Sequence, residues 1–94
     1  MNDKLRVALI GCGVISDNHI RAIVNSNKAN LVALCDVNIE RATAKKEQHR
    51  LSSSVYSSYL DMLESEELDV VHIATPHYLH TEMVLAALKR NINV

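Results

Sequence analysis

Residues 7–16 read VALIGCGVIS, and this stretch decides the fold. Its first four residues form a short apolar run, which is typical of a strand buried on both faces of a parallel sheet. The run breaks at Gly11-Cys12-Gly13, and a helical pattern begins directly behind the second glycine. Strand, glycine turn and helix in this order are the context that a dinucleotide-binding fingerprint requires.

The two glycines have different physical roles in such a turn. The first allows the tight turn, and the second lets the backbone come close to a pyrophosphate. The helix that includes Val14 and Ile15 then points its N–H groups and its positive dipole end at that anion. The third position of the pattern holds Ser16 in place of Gly or Ala, and Ser is small enough for close helix–strand packing. A plain strand-to-helix turn without a ligand stays open as the alternative.

A second apolar run, residues 31–35, ends in Asp36, which lies 23 residues after Gly13. A carboxylate at this position can accept hydrogen bonds from both ribose hydroxyls of NAD, and it repels the 2′-phosphate of NADP. Val37 follows it, and Arg41 lies one helical turn further on. We therefore expect NAD rather than NADP as the cofactor. Asp36 as a simple cap of the next helix is the alternative.

The whole chain alternates strand and helix, which predicts an α/β fold with a doubly wound parallel sheet of the Rossmann type, ending after the fourth βα unit. The predicted strands cover about 5–10, 31–35, 55–56 and 70–74, and the helices about 14–26, 38–50, 58–63 and 78–89. Residues 92–94 open a further strand. Right-handed crossovers put the second and fourth strands on either side of the first. The switch point, where ligands bind such sheets, then lies above the glycine turn and beside Thr75-Pro76.

Local signals mark the ends of several predicted helices. Asn38 and Ser58 are expected N-caps, and Asn91 is expected in the left-handed position behind the last helix. In the first helix we expect Ile20, Ile23 and Val24 on the inward stripe, together with Ile15.

Composition limits the classes of protein to consider. Ninety-four residues make one domain, and a formal net charge of −1 argues against a nucleic-acid or membrane surface. No apolar stretch approaches transmembrane length. Two cysteines without a secretory signal indicate reduced thiols in a cytoplasmic protein. Cys12 and Cys35 are expected to be small, partly buried hydrophobes rather than redox partners or ligands.

Five histidines raise the question of a metal site. His77 and His80 are three residues apart, and His72 lies on the strand before them. A zinc site would need a further converging ligand, and neither Cys-x-x-Cys nor His-Glu-x-x-His spacing is present, so we expect no metal. His19 and His49 are expected on helix surfaces. The chain also lacks the Gly-x-Ser-x-Gly elbow of serine hydrolases and the Gly-Lys-Ser/Thr of a P-loop.

Residues 74–80, ATPHYLH, form a second motif. Together with residues 10–15, IGCGVI, and Cys35-Asp36, they resemble the glucose–fructose oxidoreductase / inositol dehydrogenase (Gfo/Idh/MocA) family. The resemblance covers essentially the whole chain, including residues 59–63 and 69–71. It implies that residues 1–94 are the NAD(P)-binding Rossmann part of a protein whose C-terminal α/β domain carries the substrate site. Such proteins oxidise sugars, cyclitols and related alcohols, or reduce the corresponding ketones.

The resemblance also implies the cofactor contacts of this chain. Glycine-turn residues would lie along the pyrophosphate, Asp36 on the adenosine ribose, and His80 near the nicotinamide. The full implied set is Gly11, Cys12, Gly13, Val14, Ile15, Asp36, Ala74, Thr75, Pro76, His77 and His80. Two residues depart from the family pattern: Ser16 replaces Gly or Ala, and His77 replaces the Asn that is common after Thr-Pro.

The family's Glu-Lys-Pro segment, whose Lys assists proton transfer, should follow the strand that begins at Ile92, and the sequence given ends at Val94. We therefore expect no catalytic residue among these 94, a small-molecule substrate held by the second domain, and cofactor binding without turnover. We also expect a homo-oligomer, because an incomplete strand leaves an edge that another chain can pair with. A non-catalytic NAD-sensing module is the alternative function. A methyltransferase core that binds S-adenosylmethionine is disfavoured because the Ala-Thr-Pro motif has no clear role there.

Overall fold

Strands and helices alternate along the chain in the computed structural model, which describes residues 4–13, 16–75 and 77–94, without the side chains of residues 77–80. The strands are β1 (Leu5–Ile10), β2 (Ala29–Cys35), β3 (Ser54–Tyr56) and β4 (Val70–Ile73). The helices are α1 (Ser16–Asn25), α2 (Ile39–Gln48), α3 (Tyr59–Ser65) and α4 (His77–Leu88). The predicted order of elements is confirmed, with element ends displaced by one or two residues in most cases.

The strands form one parallel sheet in the order β3-β2-β1-β4. As predicted, β2 and β4 lie on either side of β1, so the fold is a Rossmann-type α/β sheet. On the outer side of β4, Asn93 forms an isolated parallel bridge with Val70, and its carbonyl accepts from the Val71 N–H at 2.8 Å. Residues 92–94 thus begin to pair beside β4, as the sequence indicates.

One irregularity interrupts the pairing of β1 with β2. Val7 lies opposite Leu31 and the next residue, Ala8, lies opposite Ala33, so Val32 is an extra residue in β2. Val32 and Ala33 consequently pack on the same side of the sheet, against the same cluster of buried residues. This bulge cannot be recognised in the continuous apolar run of β2.

The core lies in two layers, one on each face of the sheet. On one face, Leu9 and Leu34 pack with Ile20 and Ile23 of α1 and with Ala42 of α2. The other face packs against α3 and α4, through Met62, Leu63, Met83 and Ala87. Within the first helix, the prediction for Val24 is wrong: this residue is 53% exposed, because the buried face of α1 consists of Ser16, Ile20 and Ile23.

The helix ends follow their local signals. The side chain of Asn38 accepts from the Glu40 N–H, and that of Ser58 accepts from the Asp61 N–H, as N-caps do. Asn91 has a φ of 60°, which confirms the predicted left-handed position. Helix α2 ends at Gln48, earlier than predicted, and Arg50 beyond it has a φ of 54°. Within the described part of the chain, no helix is both long and apolar enough to cross a bilayer.

Candidate cofactor-binding site

A cleft of about 320 Å³ lies at the carboxyl ends of the strands, above the switch point of the sheet. It brings together five residues of the predicted site, contributed by the glycine turn, the end of β2 and the segment behind β4. The residues that line the cleft are Ile10, Gly11, Gly13, Cys35, Asp36, Val37, Arg41, Ser57, Tyr59, Ala74, Thr75 and Met83.

Gly11 is fixed by a close backbone approach. Its φ is +97°, and a Cβ at this position would lie 2.7 Å from the Ala74 carbonyl oxygen. Hydrogen bonds hold the turn on both sides: the Gly11 N–H donates to the Cys35 carbonyl at 2.8 Å, and the Ala74 N–H donates to the Ile10 carbonyl at 2.8 Å. A side chain at position 11 would therefore strain the backbone and push β1 away from the segment behind β4.

Gly13 lies in the opposite situation. It is exposed, and an added Cβ would have none of the described atoms beyond its chain neighbours within 4 Å. Since the described residues leave this space open, the backbone at Gly13 is accessible to a ligand in the cleft. The expected approach of a pyrophosphate to this glycine stays a prediction.

Asp36 is buried, with 7% of its surface exposed, and it also lines the cleft. Its Oδ2 accepts from the Cys12 N–H and its Oδ1 from the Asn38 N–H, both at 2.9 Å. Its own N–H donates to the Tyr56 carbonyl at 3.1 Å. A carboxylate has about four acceptor sites, so these two hydrogen bonds leave capacity for further donors. Asn38, rather than Asp36, is the N-cap of α2, and Asp36 supports the turn before it.

Ser16 fits the third position of the glycine pattern. It is 1% exposed, and its hydroxyl donates to the Gly13 carbonyl, as does its N–H at 3.1 Å. The departure from Gly or Ala therefore adds a hydrogen bond to the turn.

Both thiols are free, and Cys12 and Cys35 are each only 2% exposed, which is deeper than the predicted partial burial. The Cys12 thiol donates to the Cys35 carbonyl at 3.6 Å. Burial, and then the nearby charge of Asp36, raises the pKa of Cys12 to about 12. Burial also raises the pKa of Cys35 to about 12. Such thiols are poor nucleophiles and poor ligands near neutral pH.

Several cleft residues were not predicted from the sequence as site residues. Ser57 and Tyr59 follow the carboxyl end of β3, and the rule that sites form at strand ends could have found them. Met83 reaches the cleft from α4, where its sulfur accepts from the Thr75 hydroxyl at 3.5 Å. Its place depends on helix packing, and no local sequence signal marks it.

Other predicted site residues are not part of the described cleft. Cys12 is buried and does not line it. Val14, Ile15 and Pro76 lie outside the described residues. His77 and His80 belong to the first turn of α4, and their side chains also lie outside the described part of the chain. The cofactor contacts expected of the predicted site residues stay predictions.

The other histidines do not behave as simple surface residues. His19 is half-buried, and its ring lies edge-on to that of His72, with 5.7 Å between the centroids. Burial, and then His19, lowers the pKa of His72. His49 is the C-cap residue of α2, and its Nε2 lies 2.9 Å from the Asp17 carboxylate of α1. The prediction of surface positions is wrong for both because each packs against a second element.

Among the described side chains, no group of three or more His, Cys, Asp or Glu converges in a way that could hold a metal ion. The cleft instead offers glycine backbone, one buried carboxylate and, in Arg41, one exposed cation. This combination suits a ligand with hydroxyl groups and a negative charge.

Comparison with known proteins agrees with this geometry. Residues 5–94 match the model of the GFO_IDH_MocA family, described as an oxidoreductase family with an NAD-binding Rossmann fold. The chain belongs to this family. The match covers the glycine turn, Asp36 and the segment behind β4, and it confirms the resemblance carried by the motifs.

Individual relatives lie in the same group of enzymes. D-apiose dehydrogenase of Paraburkholderia graminis is 36% identical over 89 residues, which are 95% of this chain and 24% of that protein. Myo-inositol 2-dehydrogenase of Lactobacillus plantarum superposes with a TM-score of 0.86 at 32% identity, covering 97% of this chain and 27% of that one. The WlbA dehydrogenase of Bordetella pertussis, solved with NADH and UDP-GlcNAcA, gives a TM-score of 0.86 at 36% identity, over 95% and 27% of the two chains. The chain thus spans about a quarter of the length of the relatives it matches.

Proposed function

We propose that this chain is the cofactor-binding part of an NAD-dependent oxidoreductase that acts on a sugar, a cyclitol or a related alcohol or ketone. The observation that carries the proposal is the buried carboxylate of Asp36 in a cleft that the open backbone of Gly13 also lines. The family match and the relatives that act on inositol and apiose support the substrate class.

The residues of the cleft fit a dinucleotide. The free acceptor capacity of Asp36 suits a ribose diol, and the open side of Gly13 suits a pyrophosphate beside the start of α1. Cys12, Val14 and Ile15 would continue the pyrophosphate contacts. Ala74, Thr75, Pro76 and His77 would line the cofactor, with His80 near the nicotinamide. The bound nicotinamide supplies the hydride chemistry, and the role of this chain is to position it.

Cofactor selectivity follows from charge. Asp36 repels a 2′-phosphate at short range, whereas the exposed Arg41 is the only cation among the described residues that line the cleft. We expect the buried carboxylate to dominate, so that NAD⁺ binds at least about tenfold more tightly than NADP⁺. Isothermal titration calorimetry with both cofactors tests this expectation. Equal affinities would contradict it, and Asp36→Ser should bring the two affinities closer together.

Catalysis requires groups beyond those in the described cleft. We propose that the 94 residues alone bind NAD⁺ without turnover, because substrate and proton-transfer groups must be held against the nicotinamide carbon. An absorbance assay at 340 nm with myo-inositol and aldoses tests this point. Reproducible NAD⁺ reduction by the 94-residue chain would contradict it. A longer chain that carries the substrate domain should reduce NAD⁺ with one of these substrates, whereas a purely sensing module would not.

Self-association and location complete the proposal. A groove of about 390 Å³ follows the outer side of β4, lined by apolar residues such as Val70, Val84 and Val94. We propose that this edge pairs with a second copy in a homo-oligomer, which sedimentation at tens of micromolar would detect and a clean monomer would contradict. The two free, buried thiols support a cytoplasmic protein, to be tested by fractionation of the producing cell.

A further inference from the structure

The Cys12 N–H is a buried donor in a turn that provides it with no helical or sheet partner. Cys12 is 2% exposed, and it lies between Gly11, with its φ of +97°, and the exposed Gly13. The N–H donates to Asp36 Oδ2 at 2.9 Å, across 24 residues of sequence. A buried N–H that loses its acceptor is costly, because water cannot replace the missing partner. The turn therefore depends on this carboxylate for its conformation.

The same carboxylate is itself held in place from its other side. Asp36 Oδ1 accepts from the Asn38 N–H at 2.9 Å, at the start of α2. The N–H of Asp36 donates to the Tyr56 carbonyl at the end of β3, and the Gly11 N–H donates to the Cys35 carbonyl. Asp36 thus joins the glycine turn behind β1 to the segments behind β2 and β3. It lines the cleft, and hydrogen bonds from two other backbone positions hold its carboxylate.

We infer that Asp36 is a positioning residue for the glycine turn, so that it controls pyrophosphate binding through the conformation of residues 11–13 in addition to any contact with the ribose. This inference rests on the proposed function for its ligand. The hydrogen bond between the Cys12 N–H and the Asp36 carboxylate is present in the protein without a cofactor. A further hydrogen bond, from the Ser16 hydroxyl to the Gly13 carbonyl, also supports the conformation of the turn.

The consequence differs from that of a simple ribose contact. A residue that only binds the diol affects ligands that carry the diol. A residue that holds the turn affects every ligand whose pyrophosphate lies on the turn, with or without the diol. Replacement of Asp36 should therefore reduce the difference in affinity between NAD⁺ and NADP⁺, and it should also weaken the binding of both.

The first experiment needs no cofactor. Amide hydrogen exchange is measured by NMR at Cys12 in the unmutated 94-residue chain, in Asp36→Ser and in the isosteric Asp36→Asn. We expect exchange at Cys12 to be at least about tenfold faster in Asp36→Ser, because a hydrogen bond to a charged acceptor is lost. Asp36→Asn keeps the shape and one oxygen acceptor, and it should give a smaller acceleration. Glu47→Gln, which neutralises an exposed carboxylate on α2, is the control and should leave the rate unchanged. Unchanged exchange at Cys12 in both Asp36 variants would overturn the inference.

The second experiment separates positioning from ribose contact. An NAD⁺ analogue whose adenosine ribose lacks both hydroxyls is titrated into the unmutated chain and into Asp36→Ser, the variant that loses the hydrogen bond to Cys12. A positioning role predicts that the variant binds this analogue at least about fivefold more weakly. Equal binding of the analogue by both proteins would show that Asp36 acts through the hydroxyls alone and would overturn the inference. If the unmutated chain binds neither NAD⁺ nor the analogue, the proposed function fails. The exchange experiment still decides whether Asp36 holds the Cys12 N–H.

Discussion

The cleft at the carboxyl ends of the strands and the contact between α1 and α2 each contain an aspartate, but its partners differ. In the cleft, Asp36 is buried and accepts hydrogen bonds from two backbone N–H groups. In the helix contact, Asp17 is partly exposed, and its carboxylate interacts with two side chains, Lys45 Nζ at 2.8 Å and His49 Nε2 at 2.9 Å. The first arrangement satisfies backbone N–H groups with a buried carboxylate, whereas the second joins partly exposed side chains whose interaction water and salt weaken.

This difference predicts how substitutions in the two regions affect the protein. Substitutions in the cleft disturb the sheet and its turns, so their effects on stability and binding should be large and insensitive to salt. Substitutions in the helix contact should have small effects on stability that depend on pH and ionic strength. Three predictions test the comparison, beginning with the largest expected effect.

Gly11→Ala should destabilise the protein strongly, by about 3 kcal/mol, because the new Cβ would meet the Ala74 carbonyl and the φ of +97° is strained for Ala. Gly13→Ala is the matched control at the other end of the same turn. Its Cβ would meet no described atom beyond the chain neighbours within 4 Å, and the substitution should cost less than about 1 kcal/mol. Urea unfolding followed by circular dichroism gives both free energies of unfolding. Similar losses in the two variants would contradict the assigned difference between the glycines.

The thiols of the crevice should be protected in the folded protein. Since burial raises the pKa of Cys12 and of Cys35 to about 12, the reactive thiolate is scarce at pH 8. We expect reaction with a disulfide reagent such as DTNB to be at least about a hundredfold slower in the folded chain than in urea. The Gly11→Ala variant should react faster than the unmutated chain, because opening of the turn exposes Cys12. Rapid labelling of the unmutated folded chain would contradict the buried geometry.

Asp17→Asn should have the smallest effect, and that effect should depend on pH. Hydrogen bonds from Lys45 and then His49 lower the pKa of Asp17 from 3.8 to about 2. A carboxyl whose pKa is lower in the folded than in the unfolded state stabilises the fold above the unfolded pKa. That stabilisation is lost as pH falls from about 4 to about 2. We therefore expect Asp17→Asn to melt slightly below the unmutated chain at pH 6, with a gap that closes towards pH 2.

Salt provides the check on this last prediction. At pH 6, 1 M NaCl should reduce the gap between Asp17→Asn and the unmutated chain, because the side chains involved are partly exposed. Asp61→Asn, which changes an exposed carboxylate on α3, is a control for the general effect of removing one negative charge. A difference in melting temperature that persists at pH 2 and in high salt would mean that Asp17, like Asp36, acts through buried hydrogen bonds rather than through an exposed charge.

Local patterns and chirality were sufficient to predict the architecture from the sequence. The apolar run at residues 7–10, the glycine turn and Asp36 behind the second run were readable because each is a signal of a few residues with one structural meaning. Strand order followed from right-handed crossovers, which hold for almost any parallel sheet. For the same reasons, five of the predicted site residues lie together in the cleft.

Contacts between distant segments account for what the sequence did not predict. Met83 lines the cleft because α4 packs over the sheet, and Val24 is exposed because it lies off the face of α1 that buries Ile20 and Ile23. His49 reaches Asp17 because α1 and α2 lie side by side on one face. None of these contacts has a local signature, because the partners are brought together only when the layers of the core pack.

The order of residues along the chain is enough to specify the alternation of strand and helix, the turn at Gly11 and an acidic residue at the end of β2. The folded chain adds that Asp36 accepts the N–H of Cys12, that Val32 forms a bulge, and that the Ser53 hydroxyl is buried and donates to the Leu31 carbonyl at 2.6 Å. The physical reason is that hydrophobic periodicity and turn preferences act over a few residues. A buried hydrogen bond, by contrast, depends on where the partner's segment lies once the sheet has formed, and here the partners are 22 and 24 residues apart.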